Sequence, residues 1–245
     1  MAVKKIQSSG RALGVLEEIA RHQPVGVSAL ARLLDDDKTA IQRALLTLAE
    51  HGWIRPEPGR KQIKWELTPH IHAVARIGHE TSSLTKRARP ALKRLREEFD
   101  ETMLLTVPSA AELVLVDVVE SNQMLKYVPT VGLVVPLDSA AGHAMLSQMT
   151  GKRRQAMLGE TPGPGVLERL DQTRRQGYAV HRFEDHASVA AAVLEANGEP
   201  GAAIVLSGPL ERVKPERYPV IGARIAEVAA QLSAELHGES ALGLT

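Results

Sequence analysis

The stretch from residue 8 to residue 67 constrains the fold most. Three short helical patterns, Ser9–His22, Ser28–Leu34 and Lys38–Gly52, precede two apolar strand-like pieces, Trp53–Arg55 and Ile63–Leu67. A basic turn, Pro58-Gly59-Arg60-Lys61, lies between the two pieces. Leu13, Leu16, Ile19 and Ala20 recur at helical spacing, so the first helix must bury one face. Ser9 and Ser28 are the expected N-caps of the first two helices, and Asp35-Asp36-Asp37 supplies a cap and favourable dipole charge to the third. On that third helix Ile41, Ala44, Leu45 and Leu48 share the inward side. Helix, helix, turn, helix, hairpin is the element order of a winged helix-turn-helix, which lays a helix in the major groove of DNA.

The outward side of the third helix presents Thr39, Gln42, Arg43, Leu46 and Thr47. Arg pairs with guanine and Gln with adenine, while Leu or a Thr methyl contacts the thymine methyl. Lys38 is placed for a phosphate, and Arg55, Arg60 and Lys61 on the hairpin for the backbone. A solvated helix face is the competing reading of such a pattern, and the attached hairpin tips the balance toward DNA. Trp53 and Trp65 are expected to face each other as hairpin core rather than to stack on bases, because duplex DNA hides its base faces.

Charge follows the same division. Met1–Asp100 carries 18 Lys+Arg against 12 Asp+Glu, and 101–245 carries 12 against 17. A basic front and an acidic back fit one half that binds a polyanion and one that does not. There are no cysteines, so disulfides and thiolate metal sites are excluded. The first ten residues lack the apolar stretch of a secretory signal, and no apolar run is long enough to span a bilayer. A cytoplasmic protein without membrane contact is expected.

Beyond Pro69 two helices are expected, His70–Gly78 and Glu80–Asp100. The second has a stripe of Leu84, Ala88, Leu92, Leu95 and Phe99 opposite a basic face of Lys86, Arg87, Arg89, Lys93, Arg94 and Arg96, with Pro90 as a kink or break. His70, His72 and His79 lack a convincing further ligand, so no metal is assigned. From Met103 the pattern changes to strands: Met103–Val107, Leu113–Val119, Met124–Val128, Leu133–Val135 and Tyr178–Arg182, then a hairpin of Val189–Glu195 and Ala202–Leu206 around Asn197-Gly198. Helices are expected over Ser139–Met149, Lys152–Leu158, Gly165–Gln176 and Glu216–Leu236. Strands and helices come in blocks without regular alternation, so the class is α+β with an antiparallel sheet. No catalytic motif stands out. Asp138, Ser139 and His143 are close in sequence, which does not make them a triad.

The chain resembles the IclR family of bacterial transcription regulators over nearly its whole length. In the front half the resemblance rests on Ser9-Gly10-Arg11-Ala12-Leu13, Gly26-Val27-Ser28-Ala29-Leu30-Ala31, Lys38-Thr39, Arg43-Ala44-Leu45 and Gly52-Trp53-Ile54. In the back half it rests on Val135-Pro136-Leu137, Ala141-Gly142-His143-Ala144-Met145-Leu146, Arg175-Gln176-Gly177-Tyr178 and Ile204-Val205-Leu206-Ser207-Gly208-Pro209. The resemblance implies a winged helix-turn-helix domain (1–68), linker helices (69–100) and a GAF-like effector domain (101–245). It implies a homodimer or dimer of dimers on a palindromic operator, controlled by an effector related to aromatic or small organic acids, with no cofactor and no catalysis. It places Met124, Tyr127, Val135, Ala140, Ala141, Ser188, Val205 and Ser207 around the effector, with Asp185 or His186 at the mouth. The chain departs from the family where Asp138 replaces the usual His and His143 the usual Lys, and where the segment 136–142 is one residue short. An Asp beside an anion site repels a carboxylate unless neutralised, which points to an uncharged effector or none. Two other readings compete: a small-molecule enzyme or sensor with a vestigial DNA-binding domain, and an interaction module using the basic helix at Thr85–Arg96.

Overall fold

A computed structural model describes residues 6–59, 62–81 and 83–242. The chain divides into two compact units, Met1–Thr81 and Ser82–Thr245. The first contains α1 (Gln7–His22), α2 (Val27–Leu33), α3 (Lys38–Glu50), the strands β1 (Ile54–Pro56) and β2 (Trp65–Leu67), and α4 (His70–Thr81). The second contains α5 (Ser83–Phe99), β3 (Thr102–Ser109), β4 (Glu112–Val119), β5 (Val134–Val135), α6 (Ala140–Gln148), α7 (Gly151–Leu158), α8 (Pro164–Gln176), β6 (Ala179–Arg182), β7 (His186–Leu194), β8 (Pro200–Pro209) and α9 (Tyr218–Leu242).

In the first unit Val15, Ile19, Leu30, Ile41, Leu45 and Ile54 are fully or almost fully buried and form one core with Trp65. The helix starts differ from expectation. α1 begins after Ile6 and α2 after Gly26, neither with a side-chain cap, so Ser9 and Ser28 lie inside their helices. Asp37 does cap α3, accepting from the amides of Thr39 at 2.9 Å and Ala40 at 3.1 Å. The Arg11 Nε donates to Asp36 at 2.5 Å, tying α1 to the turn before α3. Trp53 and Trp65 do not face each other. The register pairs Trp65 with Pro56, and Trp53 packs edge-on against His70, with ring centroids 4.7 Å apart. Trp65 also exchanges backbone hydrogen bonds with Val25, which anchors the hairpin to the segment between α1 and α2.

The second unit is built on a six-stranded antiparallel sheet in the order β5-β4-β3-β8-β7-β6. Helices cover both faces. Met103, Leu105, Val189, Ile204 and Leu206 pack with residues of α5 and α9 on one side. Leu104, Leu115, Ala190 and Val205 pack with residues of α6 and α8 on the other. Two buried faces explain why these strands read as continuous apolar runs. β4 gains an extra residue opposite Leu105/Thr106. Val116 and Asp117 consequently both fall on the α5 side, Val116 in its core and Asp117 paired with Arg89. The basic face of α5 is thus partly spent within the unit. Pro90 lies inside α5 without ending it. The segment 124–128, expected as a strand, is irregular. Met124 is fully exposed there, so the apolar run has no sheet partner to bury it.

Candidate functional sites on a helix face and in a buried cavity

α3 is amphipathic in the sense expected. Ala40, Ile41, Ala44, Leu45 and Leu48 are buried, Gln42 is half-buried, and Lys38, Thr39, Arg43, Leu46 and Thr47 are exposed. Among the described residues no acceptor engages the Arg43 guanidinium, so its five donors face outward. The Thr47 hydroxyl instead donates to the Arg43 carbonyl at 3.1 Å. That leaves its methyl and the two lone pairs of its oxygen for an outside partner. Arg55 is less free than the sequence suggests, because its Nε donates to Glu66 at 2.8 Å. Arg60 and Lys61 lie outside the described residues.

The second site is a cavity of about 120 Å³ on the α6 face of the sheet. Tyr127, Val135, Ala140, Ala141, Ser188, Val205 and Ser207 all line it, so the structure brings together seven of the nine residues assigned to the effector. Met124 and Asp185 do not line it; Met124 is solvent-exposed, and the Asp185 carboxylate points outward while holding His186 Nδ1 at 2.7 Å. His186 itself lines the cavity, sandwiched between Tyr127 (4.2 Å) and Phe183 (4.3 Å). The carboxylate at Nδ1 favours the proton there, leaving Nε2 as an acceptor in the neutral ring. Burial, with a smaller contribution from Asp185, pushes the Tyr127 phenol above its ordinary value.

Sequence reasoning missed Thr106, Leu104, Leu115, Leu133 and Phe183 in the lining. Strand alternation held part of the signal. His186, Ser188 and Ala190 share one face of β7, so an inward Ser188 implies an inward His186. Thr106 matters most. It is 1% exposed, and its Oγ1 has no hydrogen-bond partner among the described residues. Across the cavity the Ser188 and Ser207 hydroxyls bond each other at 2.6 Å. The third polar element is the start of α6. Ser139 Oγ accepts from Gly142 N at 3.1 Å, and Ala140 and Ala141, whose amides belong to the first turn and have no intrahelical acceptor, line the cavity.

Asp138 is not part of this lining. Its side chain is 80% exposed and pairs with His143 Nε2 at 3.0 Å. Burial outweighs that carboxylate and holds the His143 imidazole below its ordinary pKa. Asp138 thus stands outside the lining, next to Ser139, which is part of it.

The comparisons with known proteins agree over most of the chain. Residues 79–234 match the model of the bacterial transcriptional regulator IclR C-terminal domain, and residues 8–58 match the IclR helix-turn-helix domain. This chain belongs to the IclR family. It is a DNA-binding transcriptional regulator of the α+β, winged-helix plus GAF-like type. The transcriptional repressor IclR of Escherichia coli K12 is 28% identical over 95% of this chain and 90% of its own length. The acetate operon repressor of Salmonella typhimurium is 28% identical over 94% and 89%. Among solved structures, an IclR-family transcriptional regulator from Brucella abortus superposes with a TM-score of 0.79 at 20% identity, covering 95% of this chain and 93% of that one. These matched relatives are transcriptional regulators. Among the described residues of this IclR-family protein, no helix is long and apolar enough to cross a membrane.

Proposed function

We propose that this regulator reads a palindromic operator as a homodimer or dimer of dimers in the cytoplasm, with Thr39, Gln42, Arg43 and Leu46 on base edges and Lys38, Arg55, Arg60 and Lys61 on phosphates. The division of labour is 1–68 for DNA and 101–245 for the effector, with 69–100 joining them through α4 and through α5, which packs into the core of the second unit. The observation that carries the effector half is the convergence, in one buried cavity, of a helix start, three hydroxyls and an aromatic stack. Free amides at the start of a helix attract an anion. The hydroxyls suit an adjacent oxygen, and Leu104, Leu115 and Val205 suit a short apolar body. A cavity of about 150 Å³ holds benzene, so this one fits an organic acid of about four to seven heavy atoms.

The effector sets the spacing of the two reading helices, which must match about 34 Å along DNA. No catalysis is assigned. The Ser139 hydroxyl caps α6, and among the described residues it makes no hydrogen bond to the His143 ring, so no nucleophile–base pair is assembled there. The test is a gel-shift titration of the adjacent promoter fragment, with and without small organic acids. A shift in operator affinity with one of them is expected. Turnover of such an acid, together with no salt-dependent DNA binding, would instead support the enzyme reading.

A further inference from the structure

The sharpest unexplained cluster lies beside the cavity wall. Asp138 directly precedes the cap of α6, His143 stands in its second turn, and His181 lies on β6. One donor atom from each comes within 4.8 Å of the others. His181 pairs in register with Ser188, whose side chain faces α6, so His181 faces α6 too. Its ring centroid is 6.0 Å from that of His143 and 4.4 Å from that of Phe183, a cavity-lining residue.

We propose that Asp138, His143 and His181 form a binding site for a divalent transition metal ion such as Zn²⁺ or Co²⁺. Two imidazoles and a carboxylate suit such ions, and a three-ligand set leaves positions for water or an exchangeable ligand. Bonds of about 2.0–2.2 Å place donors roughly 3.4 Å apart in a tetrahedral site. The Asp138 and His143 donors already lie at 3.0 Å, and side-chain rotation closes the remainder. The burial is graded in the right direction. The His143 side chain is 15% exposed and that of Asp138 80% exposed, so the imidazole is fixed by packing while the open positions face water. Arg169 on α8 opposes a cation near His143, and the Asp138 charge offsets it. Bound there, the metal ties the entry of α6 to β6 along one edge of the cavity. The site draws on no assumption about effector or operator.

The experiment uses untagged, chelator-treated full-length protein without DNA or organic acid. Co²⁺ is followed by its visible absorption and Zn²⁺ by calorimetry. One equivalent per chain is expected, with Co²⁺ bands of a four- or five-coordinate site. Changes outside the ligand shell already cost about 10–100-fold in affinity, so H143Q and H181Q should each weaken binding by more than about 10-fold. D138N should do likewise, and its exposed position makes it the variant that keeps its fold if the histidine changes do not. The double variant H70Q/H72Q should bind as the wild type does. Equal binding by the wild type and D138N, or a stoichiometry that falls with H70Q/H72Q alone, overturns the proposal.

Discussion

Replacing Thr106 with Val separates the cost of a cavity group from its use. Thr106 lines the cavity, and its Oγ1 is buried without a hydrogen-bond partner among the described residues. The cavity beside it is the side from which a partner, water or effector, can reach it once the lining shifts to admit one. Valine keeps the shape and removes the hydroxyl. A buried unsatisfied polar group costs about 1–3 kcal/mol, and a solvated one almost nothing, so the empty protein should be unchanged or stabilised by about 1 kcal/mol. For a unit of this size that is a rise of about 2–4 °C in Tm. A neutral hydrogen bond to the effector contributes about 0.5–1.5 kcal/mol, so Kd should rise about 2- to 12-fold. The two effects have opposite signs. Melting curves with and without a panel of short carboxylic acids measure both: T106V should melt at or above the wild type when empty and gain less from the acid that the wild type binds. A loss of more than about 1 kcal/mol in the empty protein would show that the hydroxyl holds the sheet together and would refute the cavity argument.

Arg43→Ala should weaken operator binding by about 1–3 kcal/mol and relax the preference at one base position, measured by gel shift against a set of single-base variants; unchanged affinity counts against a base-reading Arg43. Lys61→Ala should weaken all DNA sequences about equally and flatten the salt dependence, and a loss confined to the operator would refute a phosphate role. Arg212→Ala removes the partner of Glu101, a carboxylate with only 2% of its side chain exposed that it holds at 2.6 and 2.8 Å, and should cost about 3 kcal/mol in urea unfolding. Asp36 and Asp37 have pKa values below the ordinary 3.8, Asp36 mainly through Arg11 and Asp37 mainly through the Ala40 amide. Their contribution to the first unit is complete above pH 3.8 and is lost as the pH falls through the depressed values, so circular dichroism of D37A should show a smaller acid-induced loss than the wild type.

The helices and long strands were legible because their signals are local. Asp37 sits directly before a periodic apolar run, and the strands of the second unit are apolar on both faces. What was not legible depends on partners distant in the chain. Trp53 and Trp65 alternate as a facing pair should, yet the register moves Trp65 to Pro56 and leaves Trp53 to His70. The run at 124–128 has the composition of a strand, but no neighbouring strand takes it up. The cavity divides the same way. The residues taken from the family resemblance converge on it except Met124 and Asp185. Thr106 and Phe183 required knowing which strand face borders α6, and the bulge in β4 that sets the phase beside Thr106 leaves no composition signal.

The turn before α6 gives a physical reason why Asp138 need not bar an anion from the cavity. A Cβ on Gly142 would lie 2.0 Å from the Leu137 carbonyl oxygen, so the chain enters α6 in a turn that only glycine permits. The turn sets Asp138 in solvent, against His143, while the next residues, Ser139 to Ala141, line the cavity. The carboxylate therefore lies outside the lining to which the first residues of α6 contribute. Gly142→Ala forces Leu137 away by well over an ångström, because the obstacle is backbone. It should release Asp138 and weaken carboxylate binding more than the binding of an uncharged amide of the same acid. Equal losses for acid and amide would mean that the turn shapes the cavity without governing its charge.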